Sequence, residues 1–169
     1  GGPATFVKDL VKHIQNKNDI VKVITLQDKK NLDIGEKNII RISRQRNKFI
    51  RTFLLVNKIR KNSRNTDTVL CCGLMLETYL ALIGRPNKKI YRFVSDSIWD
   101  KYQTTRSGTA FTGKKEAIFL KIIAFFRDKI LSSFDLIIAP SQFLKNYYLK
   151  NINQKSNLKV INNFSSLTK

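Results

Sequence analysis

Short runs of β-branched residues alternate with helix-length amphipathic segments along the whole chain, and no other feature restricts its fold as strongly. Parallel strands cannot be joined by a tight turn; each needs a crossover of a dozen or more residues, usually a helix lying on the sheet. Ile20 to Leu26 (IVKVITL), Asn38 to Ser43 (NIIRIS), Asp67 to Gly73 (DTVLCCG), Lys89 to Ser95 (KIYRFVS), Asp135 to Pro140 (DLIIAP) and Leu158 to Ile161 (LKVI) read as strands. Helical spacing of apolar residues marks Ala4 to Lys17, Phe49 to about Arg64, Leu74 to Ile83, Lys114 to Ser132 and Gln142 to Lys150. This order predicts right-handed βαβ crossovers and a Rossmann-like α/β domain, with a mostly parallel sheet and helices on both of its faces.

Size agrees with a single domain spanning 1–169, since 169 residues with 42% hydrophobic content can bury a core without disulfide or metal staples. The first helix follows a Gly1-Gly2-Pro3 turn, and in this architecture such a turn sits between the first strand and the first helix. The expectation is therefore a fragment whose first strand preceded Gly1. Adjacent Cys71 and Cys72 point to opposite faces of a strand, a poor geometry for a mutual bridge, and read as small buried residues. With one histidine, His13, and no Cys/His cluster, no metal cofactor is expected. The most apolar stretch, Ala117 to Phe126, contains Lys121 and is about half of the ~20 residues a membrane span needs.

A formal charge of +20 implies attraction to polyanions: phosphosugars, anionic lipid or nucleic acid. Lysine-rich compositional drift accounts for the same charge without any partner. For chemistry the pattern offers three places. Glycines ahead of a helix let an anion approach the backbone N–H groups, so Gly1 and Gly2 either cradle a phosphate or form a plain tight turn. Asp96 follows a strand at its carboxyl end, where open α/β sheets place ligands; it either orients or deprotonates a hydroxyl or caps the next segment. Trp99 either stacks on a sugar face or packs, Asp100 reads as a surface residue, and Ser141 reads most simply as a helix N-cap.

Four segments occur in a telling order: GGPATFVKDLVKHI, YRFVSDSIWDKY, DLIIAPSQFLKNYYLK and LKVINNFSS. Together they resemble the N-terminal, acceptor-side domain of family-4 retaining glycosyltransferases of the GT-B fold. In that family a Gly-Gly turn opens the first helix, a D-x-[IV]-[IV]-x-[PV]-S segment follows a long helix, and a strand leads into a V-I-P-N-G-V-D-like hinge. Within the family, Val94-Ser95-Asp96-Ser97-Ile98-Trp99-Asp100 looks most like the subgroup whose fifth strand ends in V-G-D-x-x-W-E. Ser95 stands where many relatives carry a histidine near the transferred sugar. At the hinge Asn163 matches, whereas Asn162 and Phe164 replace the family's proline and glycine.

The resemblance implies transfer of a sugar from a nucleotide-sugar donor to a glycan or lipid-linked acceptor, with retention and without a metal. It implies Asp96 as the catalytic carboxylate and Gly1, Gly2, Ser95 and Trp99 as donor-phosphate or substrate contacts. The family's donor-side Glu-x7-Glu pair is lacking, because Glu36, Glu77 and Glu116 lie far apart. The expected fragment is inactive alone and cytoplasmic; its helix of Lys114 to Ser132 either covers the sheet with its apolar residues or meets an anionic membrane peripherally through Lys114, Lys115, Lys121, Arg127 and Lys129. The competing expectation is a non-catalytic nucleic-acid-binding module using Arg41, Arg44, Arg46, Arg51, Arg60, Lys61 and Arg64, although no base-reading motif accompanies them.

Overall fold

A computed structural model of the chain describes residues 3–15, 19–28, 38–94, 114–152 and 157–162. In chain order these contain α1 (Pro3–Gln15), β1 (Val23–Gln27), β2 (Ile39–Ser43), α2 (Lys48–Asn62), β3 (Thr68–Cys71), α3 (Met75–Leu82) and β4 (Lys88–Arg92). Then follow α4 (Lys114–Leu131), β5 (Leu136–Ala139), α5 (Gln142–Asn151) and β6 (Leu158–Val160). Each expected element is present, with ends shifted by up to a few residues.

The fold is α/β and its strands run parallel, β1 with β2, β4 with β5 and β5 with β6. Among the described residues they form two sheets where the sequence pattern suggested one: β1-β2, and a four-stranded sheet in the order β3-β4-β5-β6. Alternation of strand and helix dictates parallel pairing but does not say which strand neighbours which. The chain divides into two compact units, Gly1–Val69 with Leu74–Asn87, and Leu70–Gly73 with Lys88–Lys169.

In the first unit, α2 turns Leu55 and Ile59 inward, and Ile59 joins Ala81 and Leu82 of α3 in a small core lined by Ile24, Val56 and Val69. Thr52 Oγ1 donates to Glu77 Oε1 at 3.4 Å, adding a polar tie between the two helices. Buried Asn87 closes this unit by donating its amide to the carbonyls of Ser63 and Thr66, so the turn after α2 is fastened to the chain just before β4. Gly84 sits at φ +71° just past α3, a backbone conformation that glycine adopts without a Cβ penalty and that ends the helix.

The second unit has an aromatic core. Phe93 meets Tyr148 edge-to-face with ring centroids 5.4 Å apart, Tyr91 lies 5.4 Å from Phe134, and Tyr147 stacks on Phe93 at 6.4 Å. Such pairs add packing energy beyond their buried area. Arg127, buried on α4, pairs with Asp128 and donates from Nη2 to the Asn151 carbonyl at 3.1 Å, placing a cation at the carboxyl-terminal end of α5, where the helix dipole favours it. This guanidinium belongs to the interior and is not part of the cationic surface that the sequence pattern had assigned to this helix.

Candidate functional site

Parallel strands deliver all their carboxyl ends to one edge of a sheet, and the loops there can converge on a ligand. In the second unit, Phe93 N donates to Ile138 O at 2.8 Å and Ile161 N to Ala139 O at 3.0 Å, so the ladder runs just past β4 and β6. Four chain segments therefore leave this edge: Cys72-Gly73 after β3, Phe93-Val94 after β4, Pro140-Ser141 after β5 and Ile161-Asn162 after β6.

The β5 exit is set by its cap. Ser141 is extended (φ −158°, ψ 159°) and its Oγ accepts a hydrogen bond from Leu144 N at 3.2 Å, so the serine of the IIAPS motif is the N-cap of α5. This cap brings the amino end of α5, with its partial positive charge, to the carboxyl edge. Asp135 of the same motif works at the opposite edge. Its carboxylate Oδ2 accepts from Lys89 N at 2.6 Å while its own N–H donates to Lys89 O at 2.8 Å, which fixes where β4 and β5 begin to pair.

At the β4 exit the sequence reading passed over one group. Arg92, the last residue of β4, is only 2% exposed. A strong charge interrupting the apolar run of KIYRFVS was the available signal for it. Cys72 feels that guanidinium. Burial pushes its thiol up from 9.0 to about 11, Arg92 acts against the rise, and neighbouring Cys71 adds to it. Neither cysteine is in a disulfide, and Cys72 is protonated near neutrality, an inert group where a nucleophilic cysteine would need a depressed pKa.

The residues first assigned to catalysis and binding, Asp96, Ser95, Trp99, Gly1 and Gly2, lie outside the described residues, as does Asn163 of the hinge. What is placed is the strand that leads to three of them: Asp96 is four residues beyond the end of β4, an inner strand of the four-stranded sheet. Among the described residues no cluster of three His, Cys, Asp or Glu side chains has the makings of a metal site. Nor is any described helix long and apolar enough to cross a membrane. No protein-family model and no curated protein sequence matches the chain.

Proposed function

We propose that this chain is the acceptor-side Rossmann-like domain of a retaining GT-B glycosyltransferase of the family-4 type. The observation that carries the reading is the placement of two motifs in the parallel sheet β3-β4-β5-β6: DLIIAP supplies β5 and runs into a helix capped by Ser141, and LKVI supplies β6 ahead of the hinge-like segment.

In this reading Asp96, carried beyond β4, orients or deprotonates the acceptor hydroxyl, and Trp99 offers its ring to a sugar face. Gly1 and Gly2 let the donor phosphates approach the amino end of α1, with Ser95 beside the transferred sugar. The donor is a nucleotide sugar, the acceptor a glycan or a lipid-linked sugar, and no metal is required. A second domain carrying the Glu-x7-Glu pair binds the donor in the intact enzyme, which works in the cytoplasm with peripheral contact to an anionic membrane. The test is transfer by the protein of the complete reading frame, offered labelled nucleotide sugars and lipid-linked acceptors, with the anomeric configuration of the product read by NMR. Retained configuration supports the reading; a reading frame that stops near Lys169, or a complete protein that transfers nothing, speaks against it.

A further inference from the structure

The outward face of α2 combines two features that a helix covering a sheet does not need. Phe49 is 84% exposed, Phe53 67% and Ile50 54%, although neighbouring turns of the same helix bury Leu55 and Ile59 completely or nearly so. At 100° per residue Phe49, Phe53, Asn57 and Arg60 share one stripe, with Ile50 and Lys61 beside it. The stripe is thus apolar over its first two turns and cationic toward its end. From Arg41 to Arg64 the sequence contains no aspartate or glutamate. The segment leading into the helix is held in place: Asn47 Oδ1 accepts from Phe49 N at 2.9 Å, and Arg51 Nη1 donates to the Arg44 carbonyl at 2.9 Å. Arg60 and Lys61, on and beside the stripe, and Arg46 and Lys48, just ahead of Phe49 in sequence, are all exposed.

We infer that this face of α2 docks the protein on an anionic lipid bilayer, with Phe49, Ile50 and Phe53 entering the acyl boundary and the surrounding cations meeting headgroup phosphates. This deepens the peripheral-contact part of the reading above, is independent of its catalytic part, and moves the contact from α4 to α2. Charge and shape select the occupant. A second copy of the chain brings another +20 and the same cations, so the face repels itself. Single-stranded nucleic acid is held in charged grooves that track its backbone past stacking rings, and the face of one helix offers the rings of Phe49 and Phe53 without a groove. An interfacial helix has just this composition: bulky apolar residues on one face, lysine and arginine around them. Each cation close to an anionic surface strengthens binding about fivefold. The α4 face, with Ile122, Phe125 and Phe126 exposed, is the rival; among its described side chains Arg127 is buried and paired with Asp128, and Lys121 and Lys129 are the exposed cations.

The experiment is co-sedimentation of the 169-residue chain with vesicles of phosphatidylglycerol and phosphatidylcholine in equal parts, against phosphatidylcholine alone. Binding is expected only to the anionic vesicles and is expected to weaken as ionic strength rises from about 0.1 M to 1 M, which shortens charge screening from about 10 Å to 3 Å. Phe49→Ser with Phe53→Ser, changes at exposed positions, lowers partitioning about tenfold or more, whereas Lys114→Gln, Lys115→Gln and Lys121→Gln together change it less than about twofold. Phe53→Trp provides a second readout that keeps the aromatic ring: its added fluorescence is quenched by brominated lipid beyond the level that Trp99 shows in the unaltered chain. If the unaltered chain binds anionic vesicles and the double phenylalanine variant binds them equally well, the α2 inference falls and peripheral contact stands. If the unaltered chain binds no vesicles, both fall. If it ignores vesicles yet binds a single-stranded oligonucleotide through the same phenylalanines, the face belongs to nucleic acid.

Discussion

Ser141 holds its hydroxyl oxygen toward Leu144 N, and a side-chain cap of this kind typically contributes ~1 kcal/mol to the helix it starts. Ser141→Ala is expected to lower stability by about that amount in a denaturant titration and to leave any transfer activity of the intact enzyme unchanged, because the hydroxyl is occupied by the backbone. Cys72 yields a pH prediction. Its thiol is raised from 9.0 to about 11, so the folded chain holds that proton more tightly than the unfolded one. The contribution is therefore present in full below pH 9.0 and is lost as pH climbs toward about 11, and stability should decline across that window. At pH 8 the thiolate fraction of Cys72 is about a hundredfold below that of an ordinary thiol, so alkylation should be slower by at least that factor until the chain unfolds. An alkylation rate equal to that of the denatured chain would contradict the burial on which this rests.

At the scale of elements, the second unit depends on β4 carrying Phe93 into its aromatic core. Phe93 is almost fully buried between Tyr148 and Tyr147, and replacing such a ring with alanine removes both its burial and its edge-to-face partner. Phe93→Ala should cost about 3–5 kcal/mol and Phe93→Leu clearly less, read from the unfolding of the unit that contains it. Every strand and helix among the described residues was legible in the sequence, since β-branched runs and helical periodicity report what each segment buries. Which face of α2 turns inward was not. Phe49, Phe53 and Val56 make one apolar stripe and Leu55 with Ile59 another, and local spacing does not rank them. Packing of α2 on α3 chooses the second and leaves the phenylalanines in solvent. The buried Arg92 was missed for a related reason: a lone charge within an apolar run reads as an exposed position unless the sheet around it is known.

For the whole molecule, parallel pairing and βαβ order followed from the alternation of elements, whereas the division of the described strands into two sheets could not. Neighbour relations between strands depend on contacts far apart in sequence, and no local pattern encodes them. The candidate site was legible only to the extent that Asp96 follows a strand; the structure adds that β4 is an inner strand flanked by β3 and β5, with Arg92 at its end and the capped amino end of α5 on the same edge. The amino end of α5 brings partial positive charge to that edge, and Asp96 is the carboxylate nearest to the end of β4 in sequence. The measurement that bears most directly on this account is the turnover of the intact enzyme carrying Asp96→Asn, an isosteric change that removes the charge and the proton acceptor. The account predicts that kcat falls about a hundredfold or more while the unfolding transition stays where it was. Near wild-type turnover in that variant would contradict it and leave Asp96 as a cap on the segment after β4.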